Sequence, residues 1–295
     1  MVDWAEVEGR ARDIASAMHE AHAVLGRAAW LLDREQVGTT MSRQVKNVDS
    51  ATEPVGQLRR LEGDAMSKRR RAWETGDRSM AAESEDADAA LRSAYKRPQH
   101  EIAGIADALR EPAVEVGRLH DDLTRSRSQL GDALGHAAAL HDMPGYGGSD
   151  KTKDLLANVE GLKQIVDKVE RKVGDGLEEL KAARTIASRF GQEPPNVKGG
   201  QIADDLVSTS GKVNRHLTAA GTAFEDAHTF RLNDVASARQ YAVDFAGGVQ
   251  KAAAQLDKNV QAATNPTPSS AQQTQAQSDM RRRLEGHAHQ AGVER

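Results

Sequence analysis

Hydrophobic positions between Glu101 and His141 alternate in steps of three and four residues, and ten of these twelve positions are apolar: Ile102, Ile105, Leu109, Pro112, Val116, Leu119, Leu123, Ser126, Leu130, Ala133, Ala137 and Leu140. This heptad spacing keeps one stripe of a long helix facing a partner helix. We therefore predict a helix over 101–141, kinked at Pro112, whose stripe the rest of the chain must cover.

The same alternation predicts helices on both sides of this segment. A first helix runs from about residue 3 into the mid-thirties, and could reach Val48 across a weak point at 37–40, where a glycine and β-branched residues lower helix propensity. A second helix runs from Ser50 to about Ala94. Its stripe is interrupted by Glu62, Arg69 and Gly76, so it either changes its buried face or bends near Gly76. Pro98 should end it, because proline disfavours helix in the residue before it.

Two further helices are predicted in the C-terminal half. Positions 155–190 keep the alternation without interruption, with lysines and glutamates on the opposite face. Positions 202–256 keep it except for one extra four-residue step through Arg231, which is typical of a stutter in one helix of some 60 residues. Linkers rich in glycine and proline are predicted at 143–150 and 191–200.

These patterns predict an all-α fold with about five long heptad-patterned helices in an elongated, coiled-coil-like bundle. Residues 1–143 would form an N-terminal bundle of long helices, and 150–263 a C-terminal helical hairpin packed on or beside it. Residues 264–295 are rich in Pro, Ser, Gln and Thr, and are predicted to be a disordered polar tail.

Composition limits the classes of partner. The net charge of −4 and a pI near 6.2 give no global basic field toward nucleic acid or anionic lipid. The absence of cysteine excludes disulfides and thiolate chemistry. No apolar run approaches the roughly 18 residues of a membrane span, and the N-terminal residues do not have the pattern of a cleaved signal peptide. We expect a soluble cytoplasmic protein, with secretion without a cleaved signal as the alternative.

Candidate metal ligands are sparse. His19 and His22 share a helix face, but His-Glu-Ala-His is one residue short of the zinc-protease spacing. Glu225 and His228 form one copy of the Glu-x-x-His motif that di-iron bundles carry twice. His22, His120, His136 and His141 adjoin the predicted seams, where a half-buried imidazole can form a local hydrogen bond. His287 and His289 in the tail could bind a metal weakly, as any flexible His pair can. No metal, cofactor or catalytic residue is therefore predicted.

Nucleotide-binding glycine motifs and the serine-hydrolase elbow are absent from the sequence. Basic clusters occur at 68–71 and 281–283, and contact with phosphate is the alternative to a solvated surface at both. The first precedes an acidic run at 83–88, and neither is interleaved with aromatics, so nucleic acid binding is not predicted. Trp4 and Trp30 are interpreted as packing residues at the bundle ends.

Tyr146 and Asp150 match the Tyr-x-x-x-Asp/Glu spacing of export motifs. In this respect the chain resembles the substrates of type VII secretion, which are helical hairpins that are poor in cysteine and have no signal peptide. The resemblance implies a signal-less exported helical protein. The Trp-x-Gly turn of those substrates does not occur at Trp4, Trp30 or Trp73, and the five matching residues lie in the 143–150 linker.

The function predicted from the sequence is non-enzymatic: a scaffold, adaptor or assembly protein that acts through helix–helix surfaces. We expect a protein partner or self-association, and no small-molecule substrate is indicated. The alternatives are the exported helical protein described above and a metal-binding helical bundle.

Overall fold

The computed structural model describes residues 3–33 and 37–264, which form eight α-helices and one short 3-10 helix, Val197–Gly199. In chain order the α-helices are α1 Trp4–Leu32, α2 Thr39–Thr52, α3 Val55–Thr75, α4 Arg78–Ala108, α5 Arg110–Asp142, α6 Asp150–Gln192, α7 Ile202–Ala227 and α8 Leu232–Thr264. The predicted all-α fold is confirmed. Of the tail predicted from 264 onward, only Thr264, the last residue of α8, lies within the described residues.

The helices lie end to end in four antiparallel columns. The first column contains α1, α2 and α3; the second contains α4 and α5; α6 alone is the third; α7 and α8 form the fourth. Each column packs against two neighbours, as in an up-down-up-down four-helix bundle. Directions follow from contacts between columns: Arg27 of α1 pairs with Asp122 of α5 at 2.9 Å, while Arg10 reaches His136.

The long helix α6 contacts both the second and the fourth column along its length. Its 43 residues extend about 65 Å at 1.5 Å per residue. Ser149 is the N-cap of this helix, because its side chain accepts a hydrogen bond from the backbone N–H of Thr152. The stripe predicted for this segment is buried: Leu155, Val159, Leu162, Val166, Val169, Val173, Gly176, Leu180, Ala183, Ala187 and Phe190. The uninterrupted pattern thus gave an uninterrupted helix.

One hydrophobic core runs through all four columns. It includes Val7 and Leu25 of α1, Leu123 of α5, Val166 of α6 and Leu217 of α7, all with little or no exposure. The C-terminal helices therefore share their buried surface with the N-terminal ones.

The prediction of one helix over 101–141 is wrong, because its stripe is divided between two helices. Helix α4 continues through Pro98 to Ala108, and α5 begins at Arg110 after the buried junction residue Leu109. Pro98 is itself buried between the core residues Tyr95 and Ile102, so packing outweighs the cost of a proline in a helix interior. Pro112 lies in the first turn of α5, where backbone N–H groups have no helical acceptor and their loss costs little.

The predicted helix over 50–94 is also divided, since residues 50–52 belong to α2 and the rest to α3 and α4. Pro54 is the N-cap of α3, and Gly76 ends that helix in the left-handed conformation at φ +63°. Left-handed backbone carries no steric penalty for glycine, so the bend expected there becomes a complete chain reversal into α4. The tip of this hairpin, residues 70–83, has no buried side chain, and Trp73 in it is 86% exposed.

The remaining boundaries differ in a similar way. Helix α1 ends at Leu32, and the weak point predicted at 37–40 coincides with a π-helical turn at Val37 and Gly38, just before α2. The predicted helix of some 60 residues is interrupted at 228–231, so its stutter is not absorbed within a helix. Helix α8 nevertheless continues in the direction of α7, because both run antiparallel to α6.

Among residues 3–33 and 37–264, the helices fall short of the combined length and apolarity that crossing a membrane requires.

Candidate interaction site

The hydrophobic stripe of α8 continues beyond the helices that cover it. Val235, Ala242 and Val249 are buried in the bundle. Farther along the same stripe Leu256 is 39% exposed and Val260 is 60% exposed, and every described side chain from 254 to 261 is exposed. The last turns of α8 therefore present an apolar face without a covering helix among the described residues.

An open cavity of about 470 Å³ adjoins the start of this exposed stripe. It lies between the N-terminus of α1, the α5–α6 loop, the start of α6 and one face of α8. Its lining residues are Trp4, Tyr146, Ser149, Lys151, Tyr241, Asp244, Phe245, Gly248, Val249 and Ala252. Its volume is within the range of small-ligand sites, and its lining is mainly apolar and aromatic.

Tyr146 connects the α5–α6 loop to α1. Its ring meets the Trp4 ring edge-on, with centroids 5.6 Å apart and planes at 82°. Edge-to-face contacts of this kind favour a defined orientation of both rings. Burial raises the pKa of the Tyr146 hydroxyl above its usual value.

The α5–α6 loop is held by its own backbone. The N–H of Gly147 donates to the Met143 carbonyl at 2.7 Å, and the N–H of Gly148 donates to the His141 carbonyl at 2.9 Å. A Cβ on Gly147 would overlap the His141 carbonyl, so this turn requires glycine. The sequence-predicted linker is therefore a tight turn that positions Tyr146.

Tyr241 fixes the opposite wall, since its Oη donates a hydrogen bond to the Lys151 carbonyl at 3.0 Å. Burial raises the pKa of the Tyr241 hydroxyl, and the negative charge of Asp154 raises it further. Asp244 lines the same wall and accepts a hydrogen bond from Gln240 at 3.0 Å. The cavity thus combines aromatic rings with nearby carboxylates.

The candidate metal ligands do not converge. Glu225 and His228 are both exposed at the C-terminal end of α7, where the centroids of the His228 and Phe230 rings are 6.3 Å apart. His19 is exposed on α1, and His22 is half-buried toward Arg239 of α8. Within the described residues, no group of three or more His, Asp or Glu side chains is placed to hold a metal ion. His287 and His289 lie outside the described residues.

Three of the histidines beside the predicted seams contact side chains of a neighbouring helix. His136 of α5 accepts a hydrogen bond from Arg10 of α1 at Nδ1, over 3.2 Å. His141 Nδ1 is hydrogen-bonded to the buried Thr152 hydroxyl of α6, also over 3.2 Å. His120 of α5 faces α6 as well. These contacts hold neighbouring columns together, whereas the sequence suggested local hydrogen bonds only.

Most of the 68–71 cluster is engaged within the chain. Lys68 pairs with Asp64, and Arg70 pairs with Glu74, each one helical turn away. Arg69 donates to the carbonyls of residues 197 and 198 at 3.0 Å each. Cluster 281–283 lies outside the described residues.

Tyr146 and Asp150, the residues of the export-motif spacing, have different environments. Tyr146 is half-buried against Trp4 in the loop, and Asp150 is exposed at the first position of α6. Trp4 packs at a bundle end as expected. Trp30 does not, because it is 64% exposed on the side of the bundle, near Arg27 and Glu115.

Comparison with protein-family models, with curated proteins and with solved structures finds no match. The cavity was not predicted from the sequence, since its walls come from residues as distant as Trp4 and Tyr241. The available signal was the continuation of apolar positions to Leu256 and Val260 after the bundle-forming stripe.

Proposed function

We propose that the chain is a non-enzymatic helical scaffold or adaptor, and that the exposed end of α8 is its binding surface for a helix of another protein. The observation that carries this proposal is the continuation of the α8 core stripe to Leu256 and Val260, whose side chains are 39% and 60% exposed. Repeating apolar positions at three- and four-residue steps are suited to a partner with the same spacing.

The distribution of charge on α8 supports a helical partner. Lys251 and Lys258 lie away from the stripe formed by Val249, Ala252 and Leu256, and Asp257 lies at its edge. A helix placed on the stripe would therefore bury few charges, and the desolvation cost of docking would be small. The cavity adjoins the stripe and supplies a recess for one larger side chain of the partner, as in helix-in-groove recognition.

Site-specific photo-crosslinking in the native host tests this surface. A benzophenone amino acid at position 256 should yield an adduct that maps to an amphipathic helical segment of another protein. The matched control has the same group at position 258, which lies on the opposite face of the helix. We expect a discrete adduct from 256 and none of that mass from 258.

Three outcomes would contradict the proposal. They are equal adducts from 256 and 258, no adduct from 256 in folded protein, and an adduct that consists of a second copy of this chain. Circular dichroism of both substituted proteins provides the check on folding. Leu256→Glu with Val260→Glu should also weaken copurification of the crosslinked partner by at least about tenfold, because it places charges in an apolar contact.

A further inference from the structure

We infer that the cavity beside α8 receives the guanidinium group of an arginine carried by the partner helix. The inference rests on the proposed function and specifies the chemistry of the same site. It follows from the aromatic residues of the cavity, from the carboxylates near it and from the exposed stripe that leads to it.

Aromatic residues are concentrated at this cavity. The chain has three tryptophans, three tyrosines and four phenylalanines, and four of these ten line the cavity: Trp4, Tyr146, Tyr241 and Phe245. The buried core consists mainly of Leu, Val, Ile and Ala, and its aromatic members are Tyr95, Phe190 and Phe224. Aromatic faces attract cations through their quadrupole, and the planar guanidinium of arginine also stacks on them.

The charged groups near the aromatic rings favour a cation over an anion. Asp244 lines the cavity, and Asp154 is close enough to Tyr241 to raise its pKa. Lys151 also lines the cavity, but its side chain is exposed and its carbonyl is the group that binds Tyr241. One carboxylate therefore lines the cavity and a second lies near it, against one exposed ammonium group. An arginine can bind a carboxylate while it stacks on a ring.

Arginine bound in this cavity would be continuous with a helix on the stripe. The cavity includes Val249 and Ala252, and the exposed Leu256 follows one turn later on the same face of α8. A partner helix would thus place an arginine next to the aromatic rings and its aliphatic residues on Leu256 and Val260. This arrangement predicts a basic amphipathic segment rather than a wholly apolar one.

A titration monitored at Trp4 tests the inference. Trp30→Phe and Trp73→Phe leave Trp4 as the sole tryptophan, so its indole N–H resonance reports the cavity directly. The probes are N-acetyl-arginine amide, its neutral isostere N-acetyl-citrulline amide, and N-acetyl-leucine amide. We expect arginine to shift the Trp4 resonance with an affinity about two- to fivefold higher than citrulline, the range of a partly exposed cation–π contact.

Two substitutions locate the interaction. Asp244→Asn removes the carboxylate, and Phe245→Leu keeps an apolar side chain but removes a ring. Each should abolish most of the preference for arginine over citrulline. Asp257→Asn is the control, because it makes the same change in net charge on the same helix but away from the cavity.

Equal affinity for arginine and citrulline, stronger binding of leucine, or no shift with any probe would overturn the inference. A preference for arginine that survives both Asp244→Asn and Phe245→Leu would also overturn it. Crosslinking from position 256 does not depend on this cavity. A failed titration with an intact crosslink would therefore reject the arginine and leave the docking surface, whereas a failed crosslink rejects the surface itself.

Discussion

Glu62 of α3 caps the N-terminus of α7, because its Oε1 accepts a hydrogen bond from the backbone N–H of Ala203 at 3.1 Å. Helix α7 has no cap from its own N-cap residue, Gln201. A carboxylate beside the first turn of a helix satisfies an unpaired N–H and interacts favourably with the helix dipole. Glu62 is a buried acidic residue with a structural role.

Replacement of Glu62 should therefore destabilise the bundle. We expect Glu62→Ala to lower the free energy of unfolding by about 1–3 kcal/mol, since it removes a cap and leaves a buried N–H unpaired. Glu62→Gln should recover part of this loss, because its amide oxygen can still accept. Urea unfolding measures both, and Gln57→Ala at an exposed position of α3 is the control. A loss no larger than that of the control would contradict the capping role.

Arg69 has a comparable role in the connection between α6 and α7. Its guanidinium donates to two adjacent carbonyls, those of Val197 and Lys198, and lies 3.5 Å from Asp88. Arg69→Lys should cost about 1.5–3 kcal/mol, because an ammonium group cannot reproduce the two-carbonyl fork. Arg70→Lys, in an exposed ion pair with Glu74, should change stability by less than about 0.5 kcal/mol. Similar unfolding midpoints for the two variants would show that the fork is dispensable.

Gly176 gives a test of packing between α6 and α7. A Cβ at this position would overlap the ring of the buried Phe224, so Gly176→Ala should cost about 1–3 kcal/mol despite the higher helix propensity of alanine. Gly161, on the same helix, has open space where its Cβ would lie. Gly161→Ala should therefore stabilise by about 0.5–1 kcal/mol. Thermal unfolding of the two variants should shift in opposite directions, and a stabilised Gly176→Ala protein would refute the close contact.

His22 predicts a dependence of stability on pH. Burial lowers its pKa below the ordinary value, and the nearby charges of Arg239 and His19 lower it further. The unfolded chain then binds more protons than the folded one at this position. Its contribution is favourable above the unfolded pKa of about 6.5 and is lost as pH falls through the folded pKa.

The comparison of wild type with His22→Gln between pH 8 and pH 5 tests that direction. Glutamine keeps a polar side chain of similar length and does not titrate. We expect wild type to lose more stability than the variant as pH decreases, measured as the urea midpoint at each pH. Parallel pH profiles for the two proteins would assign the acid sensitivity to other groups.

Sequence periodicity identified buried positions better than helix ends. All eleven stripe positions from Leu155 to Phe190 are buried in α6. Leu109 also belongs to the predicted stripe and is buried, yet it is a junction between helices. A stripe repeats in the same way on one helix or on two helices that follow each other in a column, so the pattern does not locate the junction.

The polar residues that interrupted the α3 stripe had a cause that no local pattern contains. Glu62 and Arg69 face backbone groups of a segment more than a hundred residues later in the chain, at Ala203 and at residues 197–198. In the sequence these two residues looked like interruptions of the apolar stripe. Their partners are main-chain N–H and C=O groups, which every residue carries, so no sequence pattern identifies them. The cavity could not be predicted either, because its aromatic residues are far apart in the sequence and become neighbours only in the folded chain.

The junctions between helices are staggered along α6. Thr229, in the gap between α7 and α8, accepts a hydrogen bond from Lys168, whereas Gly117, beyond the α4–α5 junction, lies near Leu177. Residues 168 and 177 are nine residues apart on α6, which separates these two levels by at least about 13 Å. Each gap between two helices of a column therefore lies beside an uninterrupted stretch of helix in a neighbouring column. A mechanical force applied to the exposed C-terminal turns of α8 would therefore be transmitted along the whole bundle, toward the α3–α4 hairpin at its opposite end.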